Sequence, residues 1–116
     1  LEEVLKNSDF ISINTSKLPS YIIDTKEFEL MKDGVYIANA ARGGVINEVS
    51  LIDYLESGKV AGAALDVFEN EPNPELTLLM YPNLSLSPHV GGNTIDAQER
   101  IGLELANQII NIKKSL

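Results

Sequence analysis

Residues 59–66, Lys-Val-Ala-Gly-Ala-Ala-Leu-Asp, run apolar almost without a break between a lysine and an aspartate. A strand with one wet face alternates. A run this continuous is the pattern of a strand buried on both faces, which is typical of parallel sheets. Gly58 stands just before it, where a helix can end in a left-handed cap. Upstream, Asn47 caps a helix over residues 48–57, with Val49, Leu51, Ile52 and Leu55 turned inward.

The rest of the chain alternates in the same way. Residues 1–8 read as the tail of a helix with Leu1, Val4 and Leu5 on one face, and residues 9–15 as a strand ending at Thr15. Pro19 punctuates the connection that follows. Asp24 and Glu27 have the spacing of a capping box; they open a helix carrying Phe28, Leu30 and Met31 that Gly34 stops. Residues 35–39 form the next strand. Residues 67–82 are proline-rich and read as loop, and Leu84 and Leu86 alternate with serines in a short strand. A long helix covers about 95–114, with Asn93 or Thr94 as its cap. Ile101, Leu105, Ile109, Ile112 and Leu116 form its apolar stripe, widened by Ala106 and Ile110. Strands alternating with helices give an α/β parallel sheet of about four strands.

Composition narrows the function. A net charge of −8 disfavours nucleic-acid binding, which depends on cations neutralising phosphates. No apolar run approaches the ~20 residues of a membrane span. One histidine and no cysteine leave too few ligands for a structural zinc site and exclude disulfides, so no metal is expected. These features suit a cytoplasmic protein. Leu1-Glu2-Glu3 is neither a start methionine nor a signal-peptide flank, so a fragment or processed product is expected.

Right-handed crossovers bring the C-terminal ends of all strands to one edge, where α/β sheets bind ligands. Asn14-Thr15, Ala40-Ala41-Arg42, Asp66 and His89 each follow a strand. His89, the only histidine, lies between Pro88 and Gly91-Gly92. Paired with a carboxylate it can exchange a proton near neutral pH. Glu71 is one partner; Glu69 and Glu75 compete on proximity alone. Arg42, followed by two glycines, can present its planar fork to a carboxylate or stand as a surface arginine. Asp66 can accept from a ligand amide or cap the turn that follows it.

Three stretches then carry a resemblance: Ala40-Ala41-Arg42-Gly43-Gly44, Gly62 through Pro72, and Ser87-Pro88-His89-Val90-Gly91-Gly92. Their order and spacing are similar to those of the NAD-dependent D-isomer-specific 2-hydroxyacid dehydrogenases. Gly91-Gly92-Asn93-Thr94 followed by Ala97-Gln98-Glu99 most resembles the D-3-phosphoglycerate dehydrogenase branch.

The resemblance implies the second half of a Rossmann-type doubly wound parallel sheet with a long C-terminal helix. It implies hydride transfer between NAD and a D-2-hydroxy acid such as 3-phosphoglycerate. Arg42 would bind the substrate carboxylate, His89 would be the general acid/base and Glu71, directly before the proline, its partner. Asp66 would hold the nicotinamide carboxamide. Asn14, Thr15, Ala40, Ala41, Arg42, His89, Val90, Gly91 and Gly92 would line the cofactor, although many members have a histidine near Asn14. Corepressor-like proteins that sense NAD share these residues and form the alternative reading.

No Gly-x-Gly-x-x-Gly occurs in the chain. The family carries that phosphate-binding turn in the first βαβ unit of its cofactor domain. Residues 1–116 are therefore expected to be a partial NAD-binding domain, lacking that unit and the substrate domain. Such a piece would bind NAD weakly and be inactive alone. The unpaired edge of its first strand would favour a homodimer.

Overall fold

The computed structural model describes residues 1–115. Helix α1 (Glu2–Asn7) leads into β1 (Phe10–Ile13), followed by α2 (Thr25–Leu30), β2 (Val35–Asn39), α3 (Glu48–Glu56) and β3 (Val60–Leu65). A short α4 (Leu76–Leu79), β4 (Leu84–Leu86) and α5 (Ile95–Ser115) complete the order. The four strands form one sheet in the order β1-β2-β3-β4, and every neighbouring pair is parallel. All four C-terminal ends therefore share an edge.

The local signals that start the helices act as the sequence implies. Asp24 and Glu27 complete the capping box of α2. Asn47 accepts from the Val49 and Ser50 amides to cap α3, and its own amide donates to Asp24 Oδ1 at 2.8 Å. The two helix starts are thereby tied together. Phe28, Leu51, Leu55, Ile37, Leu65 and Val60 meet in the core between these helices and one sheet face.

Four expectations need correction. The proline-rich stretch contains the one-turn helix α4, because Leu78 reaches the core and is fully buried. In α3, Val49 points to solvent and Glu48 points inward, because the Asn47 cap directs positions 48, 51 and 55 toward the sheet. Strand β3 is not buried on both faces: Ala64 is exposed. Register places it beside Ala38 and Ser85, and Phe10 beside Tyr36 and Gly62, on a face no helix covers. There the Phe10 and Tyr36 rings stack at 5.2 Å and flank a trough of about 720 Å³ floored by small side chains. Finally, of Leu1, Val4 and Leu5, expected on one helical face, only Leu5 is buried.

Among the described residues, the apolar stripe of α5 finds no partner. Ile101, Leu105, Ile109 and Ile112 are all exposed, and no α5 side chain among the described residues is buried. Leu116, expected on the same stripe, lies outside the described residues.

Candidate active site

The Arg42 turn is shaped from the end of β2. Asn39 is buried there, and its side chain accepts from the Ala41 amide at 3.0 Å and donates to the Arg42 carbonyl at 3.1 Å. This makes a local hydrogen-bonded turn out of residues that could not continue the strand. Gly43 follows because nothing larger fits: a Cβ there would lie 1.7 Å from the Phe68 carbonyl oxygen. The turn after β2 is thus packed against the loop after β3, backbone to backbone.

Arg42 itself is exposed and donates from Nη1 to the Ala41 carbonyl at 2.6 Å. It lines a cavity of about 370 Å³ with Asn14, Thr15, Ser16, Lys17 and Ala41. No acidic residue lines this cavity, although the chain carries a net charge of −8. Two cations and a set of hydroxyl and amide groups make it suited to an anionic, hydrogen-bonding ligand. Nothing in the sequence neighbours of Lys17 marks it as facing Arg42.

Asp66 ends β3 and is buried. Its hydrogen bonds within the chain go not to the turn that directly follows it but to the distant one after β4. Oδ1 accepts from Ser87 Oγ at 2.6 Å and from the Val90 amide at 3.0 Å, while Oδ2 accepts from the Gly91 amide at 2.8 Å. Burial pushes its carboxyl up, but these hydrogen bonds and the nearby imidazole outweigh it and leave Asp66 below the usual aspartate value. Ser87 thus has a role of its own within the stretch that carries the family resemblance.

The clamped turn presents His89. Its φ is +55°, the left-handed region that a non-glycine residue occupies only at some cost. Anchoring of Ser87 on one side and of Val90 and Gly91 on the other holds it there. His89 Nδ1 lies 2.6 Å from Glu71 Oε2, and Glu71 Oε1 accepts from the Phe68 amide at 2.9 Å. The contact with His89, then the Phe68 amide, holds the Glu71 carboxyl below its ordinary value. The arrangement leaves Nε2 as the nitrogen free to exchange a proton.

Among the three carboxylates considered for His89, Glu71 makes the contact. Glu69 turns the other way: Oε1 accepts from the Glu48 amide at 2.9 Å and Oε2 from the Tyr21 hydroxyl at 3.0 Å. Arg42 makes no hydrogen bond to Glu71 or His89 among the described residues; the contact of Gly43 with Phe68 links the two halves of the rim.

Comparison with known proteins gives the family. Residues 1–91 match the model of the D-isomer specific 2-hydroxyacid dehydrogenase, NAD binding domain. The chain belongs to that family. NAD is accordingly its cofactor, and the four-stranded sheet with its long last helix is the corresponding part of a Rossmann-type domain.

The chain is 41% identical over 118 positions to D-3-phosphoglycerate dehydrogenase of Archaeoglobus fulgidus, covering 99% of this chain and 22% of that protein. Its structure resembles a glyoxylate reductase from Paecilomyes thermophila, with a TM-score of 0.82, 44% identity, and coverage of 93% of this chain and 34% of that one. It also resembles D-lactate dehydrogenase from Aquifex aeolicus, solved with NAD and lactic acid, with a TM-score of 0.75, 31% identity, and coverage of 98% and 40%. The chain therefore spans about a fifth to two-fifths of the length of these relatives.

Small residues leave the rim open to a ligand. Ala40, Ala41 and the glycines of the His89 turn leave main chain within reach, and a Cβ on Gly92 would meet nothing within 4 Å. Asn14 and Thr15 add polar side chains to the cavity beside Arg42.

Proposed function

We propose that this chain is the second half of the cofactor domain of a dehydrogenase that oxidises a D-2-hydroxy acid with NAD. We take 3-phosphoglycerate as its substrate. The observation that carries the reading is the 2.6 Å contact between His89 Nδ1 and Glu71 Oε2 on a turn whose backbone Asp66 clamps. It is the arrangement a general acid/base needs: one nitrogen engaged by a carboxylate, the other presented.

Glu71 accepts the Nδ1 proton of the neutral ring, which places the basic lone pair on Nε2. Nε2 then takes the proton of the substrate hydroxyl, and the Glu71 carboxylate stabilises the imidazolium. Arg42 swings from the Ala41 carbonyl to hold the substrate carboxylate with two parallel hydrogen bonds. In the reverse direction the imidazolium returns the proton to the keto oxygen while Arg42 polarises it. Bound NAD supplies the acceptor for the hydride. Asn14, Thr15, Ala40, Ala41, Val90, Gly91 and Gly92 would line its site, and Asp66 would accept from its carboxamide.

The choice of 3-phosphoglycerate is supported by the Archaeoglobus relative and by the Gly91-Gly92-Asn93-Thr94 stretch. The half-domain reading is supported by the share of the relatives that the chain spans and by the uncovered sheet face. Exposed edge strand β1 and the bare stripe of α5 support association as a homodimer. We place its action in the cytoplasm; among the described residues no helix is long and apolar enough to cross a membrane.

The test is His89→Asn in an enzyme carrying this chain as its cofactor half. Loss of roughly 10²–10⁴-fold in kcat for D-3-phosphoglycerate oxidation is expected for removal of an acid/base group. An unchanged kcat would refute the acid/base role, whereas oxidation of other D-2-hydroxy acids alone would overturn the substrate and keep the chemistry.

A further inference from the structure

The chemistry above uses Glu71 but not the two carboxylates packed behind it. Glu48 opens α3 and Glu69 lies in the loop after β3. Each accepts the other's backbone amide: Glu69 N donates to Glu48 Oε1 at 2.7 Å, and Glu48 N donates to Glu69 Oε1 at 2.9 Å. The Tyr21 hydroxyl fixes the remaining Glu69 oxygen. We propose that Glu48 and Glu69 are positioning residues, a reciprocal clasp that holds the loop bearing Glu71 in register with the turn bearing Arg42. The purpose rests on the dehydrogenase reading; the geometry does not.

Three observations converge on it. First, Phe68 and Glu69 offer successive amides, one to Glu71 and one to Glu48. Orienting the second peptide orients the first, and with it the carboxylate that meets His89. Second, the clasp and the approach of Gly43 to the Phe68 carbonyl join the same two segments, residues 43–48 and residues 68–69, at two points. Two points fix both distance and rotation. Third, the pair is a costly way to gain stability alone. Glu48 is 7% exposed, and neither carboxylate has a cation within ion-pair distance among the described residues. Apolar side chains would fill the space at lower cost, but would leave the two loop amides unpaired.

The test needs no catalysis, so it can fail while the dehydrogenase reading stands, and the reverse. Amide hydrogen exchange is followed by NMR at neutral pH on the 116-residue chain and on Glu48→Ala, Glu69→Ala, Glu48→Gln and Glu69→Gln. The Phe68 amide reports the loop; the Ala63 and Tyr36 amides, bonded to Asn83 and Asp9 carbonyls, report the sheet. In the alanine variants Phe68 is expected to exchange about ten-fold faster or more while the sheet amides keep their rates. The glutamine variants retain an acceptor oxygen and are expected to restore protection. The proposal is overturned if Phe68 stays protected in both alanine variants, or if glutamine behaves as alanine. It is also overturned if loop and sheet loosen together or the alanine variants unfold, since the pair would then support the fold at large.

Discussion

Gly91 donates its backbone N–H to Asp66 Oδ2 at 2.8 Å, and a Cβ on Gly91 would lie 2.9 Å from that same oxygen. The glycine is therefore required by the approach of a carboxylate. Asp66 cannot simply turn aside, because Ser87 and Val90 hold its other oxygen. Gly91→Ala is expected to break the bond to the charged acceptor and to cost about 1.5–3 kcal/mol, read from urea unfolding. A shift below about 0.5 kcal/mol would show that the carboxylate moves freely.

Gly43 and Gly92 look alike in sequence and differ in structure. A Cβ on Gly43 would be 1.7 Å from the Phe68 carbonyl oxygen, which is backbone and has no rotamer to change. Gly43→Ala must therefore part the two loops, at an expected cost of about 3 kcal/mol or more. A Cβ on Gly92 meets nothing within 4 Å, so Gly92→Ala is expected to fall within about 0.5 kcal/mol of the parent. Thermal unfolding of the two variants side by side checks the contrast; equal midpoints would mean that the loops are not pressed together.

Glu71→Gln separates orientation from charge. The amide oxygen still accepts from Phe68, so the loop keeps its shape, but the anion beside the imidazolium is gone. In an enzyme carrying this chain, kcat is expected to fall by roughly 10⁴-fold, the scale for turning the carboxylate behind a catalytic histidine into an amide, which favours the wrong tautomer. KM for the acid should change little, because Arg42 is untouched. The sign of the pH effect follows from the lowered carboxyl. Its stabilisation is complete above the ordinary value of 4.5 and is lost as pH falls through the folded value beneath it. Acid titration of Glu71→Gln should lack that loss.

What could be read from the chain alone was what neighbours in sequence decide. The Asp24 and Glu27 box and the Asn47 cap are local, and both helices begin there. The strand ends that deliver Arg42, Asp66 and His89 to one edge follow from parallel topology. What escaped depends on contacts between distant segments. Glu48 lies on the same helical face as Leu51 and Leu55, but a glutamate reads as solvated and Val49 as buried until the fold brings Glu69, 21 positions later, against it. Asp66 reaches the turn after β4 and not its own, as only the fold can specify. The unbroken run of β3 implied two covered faces, but small residues such as Ala64 read as buried whether or not a helix lies over them. Lys17 joins Arg42 only because β1 and β2 are adjacent.

The pH dependence of stability should carry the mark of Glu48. Burial, opposed by the Glu69 amide and reinforced by the carboxylates of Glu69, Glu75 and Glu71, pushes it up to about 6 from 4.5. Those carboxylates face it from the loop after β3 and its continuation, and the Tyr21 hydroxyl reaches the site through Glu69. A raised carboxyl means that the folded chain binds this proton more tightly than the unfolded one. Stability from this group is therefore full below pH 4.5, declines as pH rises toward about 6, and is flat above that. The decline amounts to about 2 kcal/mol at most. Glu48→Gln keeps an acceptor for the Glu69 amide and removes the titration. Its unfolding free energy is expected to exceed that of the parent at pH 7 by up to about 2 kcal/mol and to converge with it near pH 4.5. Parallel curves for the two proteins across that interval would mean that Glu48 ionises as freely in the fold as in water.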